Sequence, residues 1–143
     1  MSTDSIIVED TLNAPINKVW QALTDKSQMK QWYFDLDEFR TEEGFEFSFT
    51  GQGQSGDEYV HLCKITEIEP QKMLRHSWAY QGYSGISLIS WELSEEDGKT
   101  RVRLIHQGVE NFPADNPDFA KANFKGGWNH TVSKALKEFV EEG

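Results

Sequence analysis

Met73-Leu74-Arg75-His76-Ser77-Trp78-Ala79-Tyr80, followed by Ile89-Ser90-Trp91-Glu92-Leu93 and then Val102-Arg103-Leu104-Ile105-His106, is the stretch that decides the fold. Each run alternates with the period of two that a half-buried strand requires. Leu74, His76, Trp78 and Tyr80 share one side of the first run. Ile89, Trp91 and Leu93 share one side of the second, and Val102, Leu104 and His106 one side of the third. Gln81 to Gly85 turns the chain between the first two, and Asp97-Gly98 is a hairpin signal between the last two. Three successive antiparallel strands with a common inner face are expected.

Working outward, Tyr59 to Ile68 reads as a longer strand ended by Pro70, and Phe45, Phe47 and Phe49 alternate strictly with polar residues in another. Between them Gly51-Gln52-Gly53-Gln54-Ser55-Gly56 reads as a hairpin loop. A phosphate-binding glycine loop would need a helix after it, and a strand follows. At the N-terminus, Ser5 to Leu12 reads as a strand with Ile6, Val8 and Asp10 on one face and Ile7 on the other. Pro15 opens a helix carrying Ile16, Val19, Trp20 and Leu23. A second short helix, Ser27 to Trp32, carries Met29 and Trp32. At the C-terminus, Asn116-Pro117-Asp118 has the character of a helix start. Trp128, Val132, Ala135, Leu136 and Phe139 then form one apolar stripe. Gly126-Gly127 costs about 1 kcal/mol per glycine inside a helix, so a break is expected there, with the main helix running from about Gly127 to Glu142.

The order is one strand, two short helices, about five hairpin-linked strands and a long helix. That makes an α+β domain with a sheet of about six strands and the last helix over one face. A twisted sheet curves away from a straight helix, and the gap between them can be a pocket or be filled by side chains.

Composition narrows the partners. The 143 residues suit one domain, 1–143. A formal charge of −10, from 14 basic and 24 acidic residues, argues against nucleic acid and against anionic lipid. The single Cys63 rules out an internal disulfide and a cysteine zinc site. The N-terminus lacks the basic and apolar regions of a signal peptide, and no run reaches the ~18 apolar residues of a membrane span. A cytoplasmic location is expected. Nine Phe, five Trp and four Tyr supply the rings for a core or a pocket wall.

Several segments together resemble a known family. They are Ala14-Pro15, Val19-Trp20-Gln21-Ala22-Leu23-Thr24-Asp25, Trp32, Gly44-Phe45-Glu46-Phe47, Ile65 with Ile68-Glu69-Pro70, and Leu74 with Ser77-Trp78, followed by the spaced Thr100, Val102, Leu104, His106 and Gly108 and by Gly127-Trp128. In this order they resemble a stand-alone domain of the activator of Hsp90 ATPase homologue type (AHSA-type), within the START-like, SRPBCC helix-grip superfamily. The resemblance implies a β-α-α-β-β-β-β-β-α grip with a cavity between sheet and C-terminal helix. Members bind or transform varied apolar ligands. Co-chaperone activity is not implied, because the co-chaperone that names the family carries a further N-terminal domain.

The candidate site residues follow from the inner face. Trp78, Tyr80, Trp91 and Trp128 are read either as a wall for an aromatic ligand or as ordinary core. Ile89, Leu104 and Val132 complete that surface. His76 and His106 are read as polar contacts to a ligand, as acid–base groups, or as satisfied core histidines. With the strands in chain order, the Ile89 strand separates the two. Trp20, Trp32 and Phe34 read as packing, and Tyr33-Phe34 alternatively as a gate. The acidic residues Asp35, Asp37, Glu38, Glu42 and Glu43 read as a solvated face. Cys63 reads as packing and His130 as exposed or at the pocket rim.

No metal-ligand spacing and no nucleophile elbow is present, and no cofactor is expected. Three functions compete. One is a binding protein for a small hydrophobic or aromatic ligand. The second is a cyclase-, dehydratase- or hydrolase-like enzyme on a polyketide-like substrate, and the third is a chaperone-cofactor or other protein-interaction domain.

Overall fold

The fold is that of a computed structural model, which describes residues 5–32, 39–52, 58–112, 119 and 121–142. Strands β1 (Ile6–Leu12), β2 (Glu46–Gln52), β3 (Glu58–Glu69), β4 (Met73–Tyr80), β5 (Ser87–Glu96) and β6 (Lys99–Gln107) form one antiparallel sheet, ordered β1-β6-β5-β4-β3-β2. Helices α1 (Ile16–Thr24) and α2 (Lys26–Trp32) follow β1. The chain ends in a continuous helical run made of α3 (Lys121–His130), a π-helical stretch (Thr131–Leu136) and α4 (Lys137–Glu142). This is the α+β helix-grip architecture. No helix among the described residues is long and apolar enough to cross a membrane.

Alternation in the sequence becomes a two-faced sheet. Along β4, Leu74, His76, Trp78 and Tyr80 are buried, and along β6, Thr100, Val102, Leu104 and His106 are buried. Register aligns one inward row across the sheet: Ile65, His76, Ile89, His106 and Ile6. Ile7 points the other way and is exposed. Asp10 lies at the helix end of the inner face, where its carboxylate pairs with Lys137 at 3.7 Å. Between β5 and β6, Asp97 and Gly98 take φ of 50° and 80°, the paired left-handed conformation of a two-residue hairpin turn.

The C-terminal helix departs from expectation. It starts by Lys121 and runs through Gly126 and Gly127 without a break, because both glycines are exposed and helical continuity costs only their entropy. The irregularity lies further on, in the π stretch, and the spacing of the buried residues accounts for it. Trp128, Val132, Leu136 and Val140 are all buried and recur every fourth residue. At 3.6 residues per turn each step of four drifts by about 40°, so three steps would carry Val140 about 120° off the face. Underwinding through the π stretch cancels that drift.

Asn116-Pro117-Asp118, Tyr33-Phe34, the acidic residues Asp35, Asp37 and Glu38, and residues 53–57 of the hairpin loop lie outside the described residues. Glu42 and Glu43 are exposed.

Glycine substitutions in the C-terminal helix and at Gly85 should have opposite signs. A Cβ at Gly126 or Gly127 would meet nothing within 4 Å, so Gly126→Ala and Gly127→Ala should each stabilise by about 1 kcal/mol. Gly85 has φ +101°, and a Cβ there would sit 2.3 Å from the Asn111 carbonyl oxygen. Gly85→Ala should therefore destabilise by more than about 1 kcal/mol. Urea unfolding of the three variants measures all of this.

Candidate ligand site

The nine residues singled out above, His76, Trp78, Tyr80, Ile89, Trp91, Leu104, His106, Trp128 and Val132, are all buried between sheet and helix. Ring contacts join several of them. The Trp78 ring meets Trp128 at 5.3 Å, His106 at 6.1 Å and Tyr80 at 6.3 Å, mostly edge to face. Trp91 meets Trp128 at 6.1 Å and Trp32 at 6.2 Å. Trp32 also donates its indole N–H to the Ala22 carbonyl at 2.8 Å, which holds α2 on α1 as packing.

Three inward residues that sequence reasoning passed over complete the layer. His61 stacks on Phe49 at 4.5 Å and lies 4.8 Å from Trp78 and 4.9 Å from Tyr80. Phe47 packs edge-on against His76 at 5.4 Å. Ser87 is buried beside His106. The signal was available, since Tyr59, His61 and Cys63 alternate inward, as do Ser87, Ile89 and Trp91.

The hydrogen bonds assign each imidazole a tautomer. Trp128 Nε1–H donates to His106 Nδ1 at 3.0 Å. An indole nitrogen can only donate, so Nδ1 is the acceptor and the ring proton sits on Nε2. Nε2–H then donates to Ser87 Oγ at 2.7 Å, and the Ser87 hydroxyl donates to the Trp78 carbonyl at 2.9 Å. Both nitrogens of His106 are thus committed within the protein, which makes it a satisfied core histidine that positions Trp128.

His76 is different. Its Nδ1–H donates to the Ser77 carbonyl at 2.9 Å, which leaves Nε2 as a bare acceptor. Among the described residues nothing donates to that atom. His76 and His106 do not meet, because Ile89 stands between them in the row. Two strand spacings come to roughly 9.5 Å.

All three imidazoles are neutral. Burial lowers His61 and His76 to about 4. Burial, reinforced by His76, lowers His106 to about 3. Burial also pushes the Cys63 thiol up, so it is packing and not an activated nucleophile. His130 is exposed. Among the described residues no group of three His, Cys, Asp or Glu is placed to hold a metal ion.

A groove of about 610 Å³ is lined mainly by the outward residues Leu62, Lys64, Ser77, Ala79 and Ile86, and also touches Phe47 and Cys63. None of the nine residues lines it.

The family model described as "Activator of Hsp90 ATPase homolog 1-like protein" matches residues 13–141. The chain belongs to this family. No curated protein matches it. Among solved structures, it is similar to Mll3558 from Rhizobium loti, with TM-score 0.81, 20% identity and coverage of 97% of this chain and 98% of that one. CV1439 from Chromobacterium violaceum has TM-score 0.79 and 19% identity, covering 96% of each chain. CalU16 from Micromonospora echinospora has TM-score 0.72 and 26% identity, covering 95% of this chain and 73% of that one. These likenesses carry the helix-grip fold across 95–97% of this chain.

The three neutral histidines should make stability depend on pH. The unfolded chain protonates them near 6.5 and the folded chain only near 3 to 4, so the unfolded state binds more protons throughout that interval. Stability is therefore full above about pH 6.5 and falls with pH below it, by about 1.4 kcal/mol per pH unit for each group. Urea midpoints taken between about pH 7 and 4.5 should decline steadily. His61→Phe, which keeps the stacking, should make the decline shallower. A flat profile would contradict the assignment of neutral imidazoles.

Proposed function

We propose that the chain is a binding protein for a small hydrophobic or aromatic ligand, held between the sheet and the C-terminal helix. One observation carries this reading. The inner face is a layer of rings in which His76 Nε2, on a side chain buried at 3% exposure, meets no donor among the described residues. A layer that served only as core would gain nothing from this atom, since an unpaired buried acceptor costs about 1–3 kcal/mol. The rings offer faces and edges for stacking, and Trp78, Tyr80, Trp91 and Trp128 are the wall in this reading. The family's association with binding or transforming small apolar molecules supports it.

Turnover on a polyketide-like substrate is the alternative reading, with His76 as the base. Burial holds that imidazole at about 4, which makes it a weak proton acceptor at neutral pH. Binding is the better match to the geometry.

Titration with a panel of uncharged hydrophobic and aromatic molecules tests the proposal, following tryptophan fluorescence and melting temperature together. We expect saturable quenching and a raised Tm, with a stabilisation of about 2.7 kcal/mol at a hundredfold excess over Kd. Trp91→Ala should weaken binding by at least about tenfold, a loss of about 1.4 kcal/mol. If no member of the panel shifts either signal, the rings are core and the binding reading fails.

A further inference from the structure

We infer that the ligand is an uncharged ring compound bearing a hydrogen-bond donor, such as a phenolic hydroxyl, which it gives to His76 Nε2. This rests on the binding reading above and narrows it to a chemical class. The geometry behind it is local. The Nδ1–H bond to the Ser77 carbonyl at 2.9 Å fixes the ring's tautomer and rotation. With Nδ1 so anchored, Nε2 is the nitrogen left to accept, and no described residue donates to it. Phe47 stands edge-on to the imidazole at 5.4 Å, and the Trp78 ring lies at 6.3 Å, tilted 35°. Ile65 and Ile89 flank it in the row.

Each feature excludes a class of ligand. A molecule with acceptors alone finds no N–H or O–H on this imidazole, because its one proton is already committed to Ser77. A carboxylate or phosphate would be buried among Phe47, Trp78, Ile65 and Ile89 with no cation among the described residues there to pair it. The protein's charge of −10 adds to that penalty. A pure hydrocarbon can stack on the rings but leaves Nε2 unanswered. A neutral aromatic donor satisfies both requirements at once.

Isothermal titration with three naphthalene probes separates these cases: 1-naphthol, 1-methoxynaphthalene and 1-naphthoate. We expect 1-naphthol to bind wild-type protein at least tenfold more tightly than 1-methoxynaphthalene, and His76→Leu to abolish that preference. Equal, saturable binding of these two would overturn the donor inference and leave the binding reading standing. So would tightest binding by 1-naphthoate. No saturation by any probe would remove the binding reading and this inference with it. Because His76→Leu could unfold the chain, the wild-type His76 Nε2 nitrogen resonance gives a second readout. It should move upfield with 1-naphthol and stay in place with 1-methoxynaphthalene, and the absence of any shift with bound 1-naphthol would refute the contact.

Discussion

The hydrogen bond from Trp128 Nε1 to His106 Nδ1 ties the C-terminal helix to the sheet, and the inner layer is organised around it. The backbone of α3 and of the π stretch packs close to β1, at one edge of the sheet. The Trp128 ring reaches inward from there to β6, β5 and β4. An indole held by apolar contacts alone could rotate within such a layer, because edge-to-face contacts tolerate a range of angles. The bond to His106 removes that freedom. It also fixes where the His106 proton sits, and through Ser87 it reaches the Trp78 backbone. Helix and sheet are thereby locked at one point by donors and acceptors that all find partners.

That lock explains why histidines stand where aliphatic residues would pack more cheaply. A buried imidazole has to be neutral and has to satisfy two nitrogens. His106 meets both conditions within the protein. His61 gives its Nδ1–H to the Phe49 carbonyl and spends its face on the Phe49 ring. Neutrality follows from burial, so the same packing that closes the layer makes it sensitive to acid.

The strands and the face assignment within them were legible in the sequence because alternation has a period of two, and a run such as Leu74 to Tyr80 admits one assignment of faces, whereas the placement of β1 beside β6 was not. The Asp97-Gly98 turn was legible for a similar reason, since few residues tolerate two consecutive left-handed conformations. The helix was harder. Gly126-Gly127 carries an entropic cost that suggests a break, yet exposed glycines cost little enough that packing on either side carries the helix through. The true irregularity was written in the spacing Trp128, Val132, Leu136, Val140, which only a period of four explains. The role of each histidine was not legible. His106 takes its tautomer from a tryptophan 22 residues away and a serine 19 residues away, and no local pattern encodes which donor a fold will bring to which nitrogen.

His76 and His106 show what that means for reading a site. They occupy the same inward row, on strands with the same alternation, and burial lowers both. Neither burial nor charge separates them. What separates them is the group that stands opposite: Trp128 for His106, and for His76 no donor among the described residues. Two buried histidines can thus be chemically identical, and the difference lies in whether the described residues complete their hydrogen bonds. His106 is completed, so replacing it disturbs the helix. On His76 the acceptor at Nε2 is left unpaired among the described residues, and in the proposed reading a partner from outside supplies the missing donor.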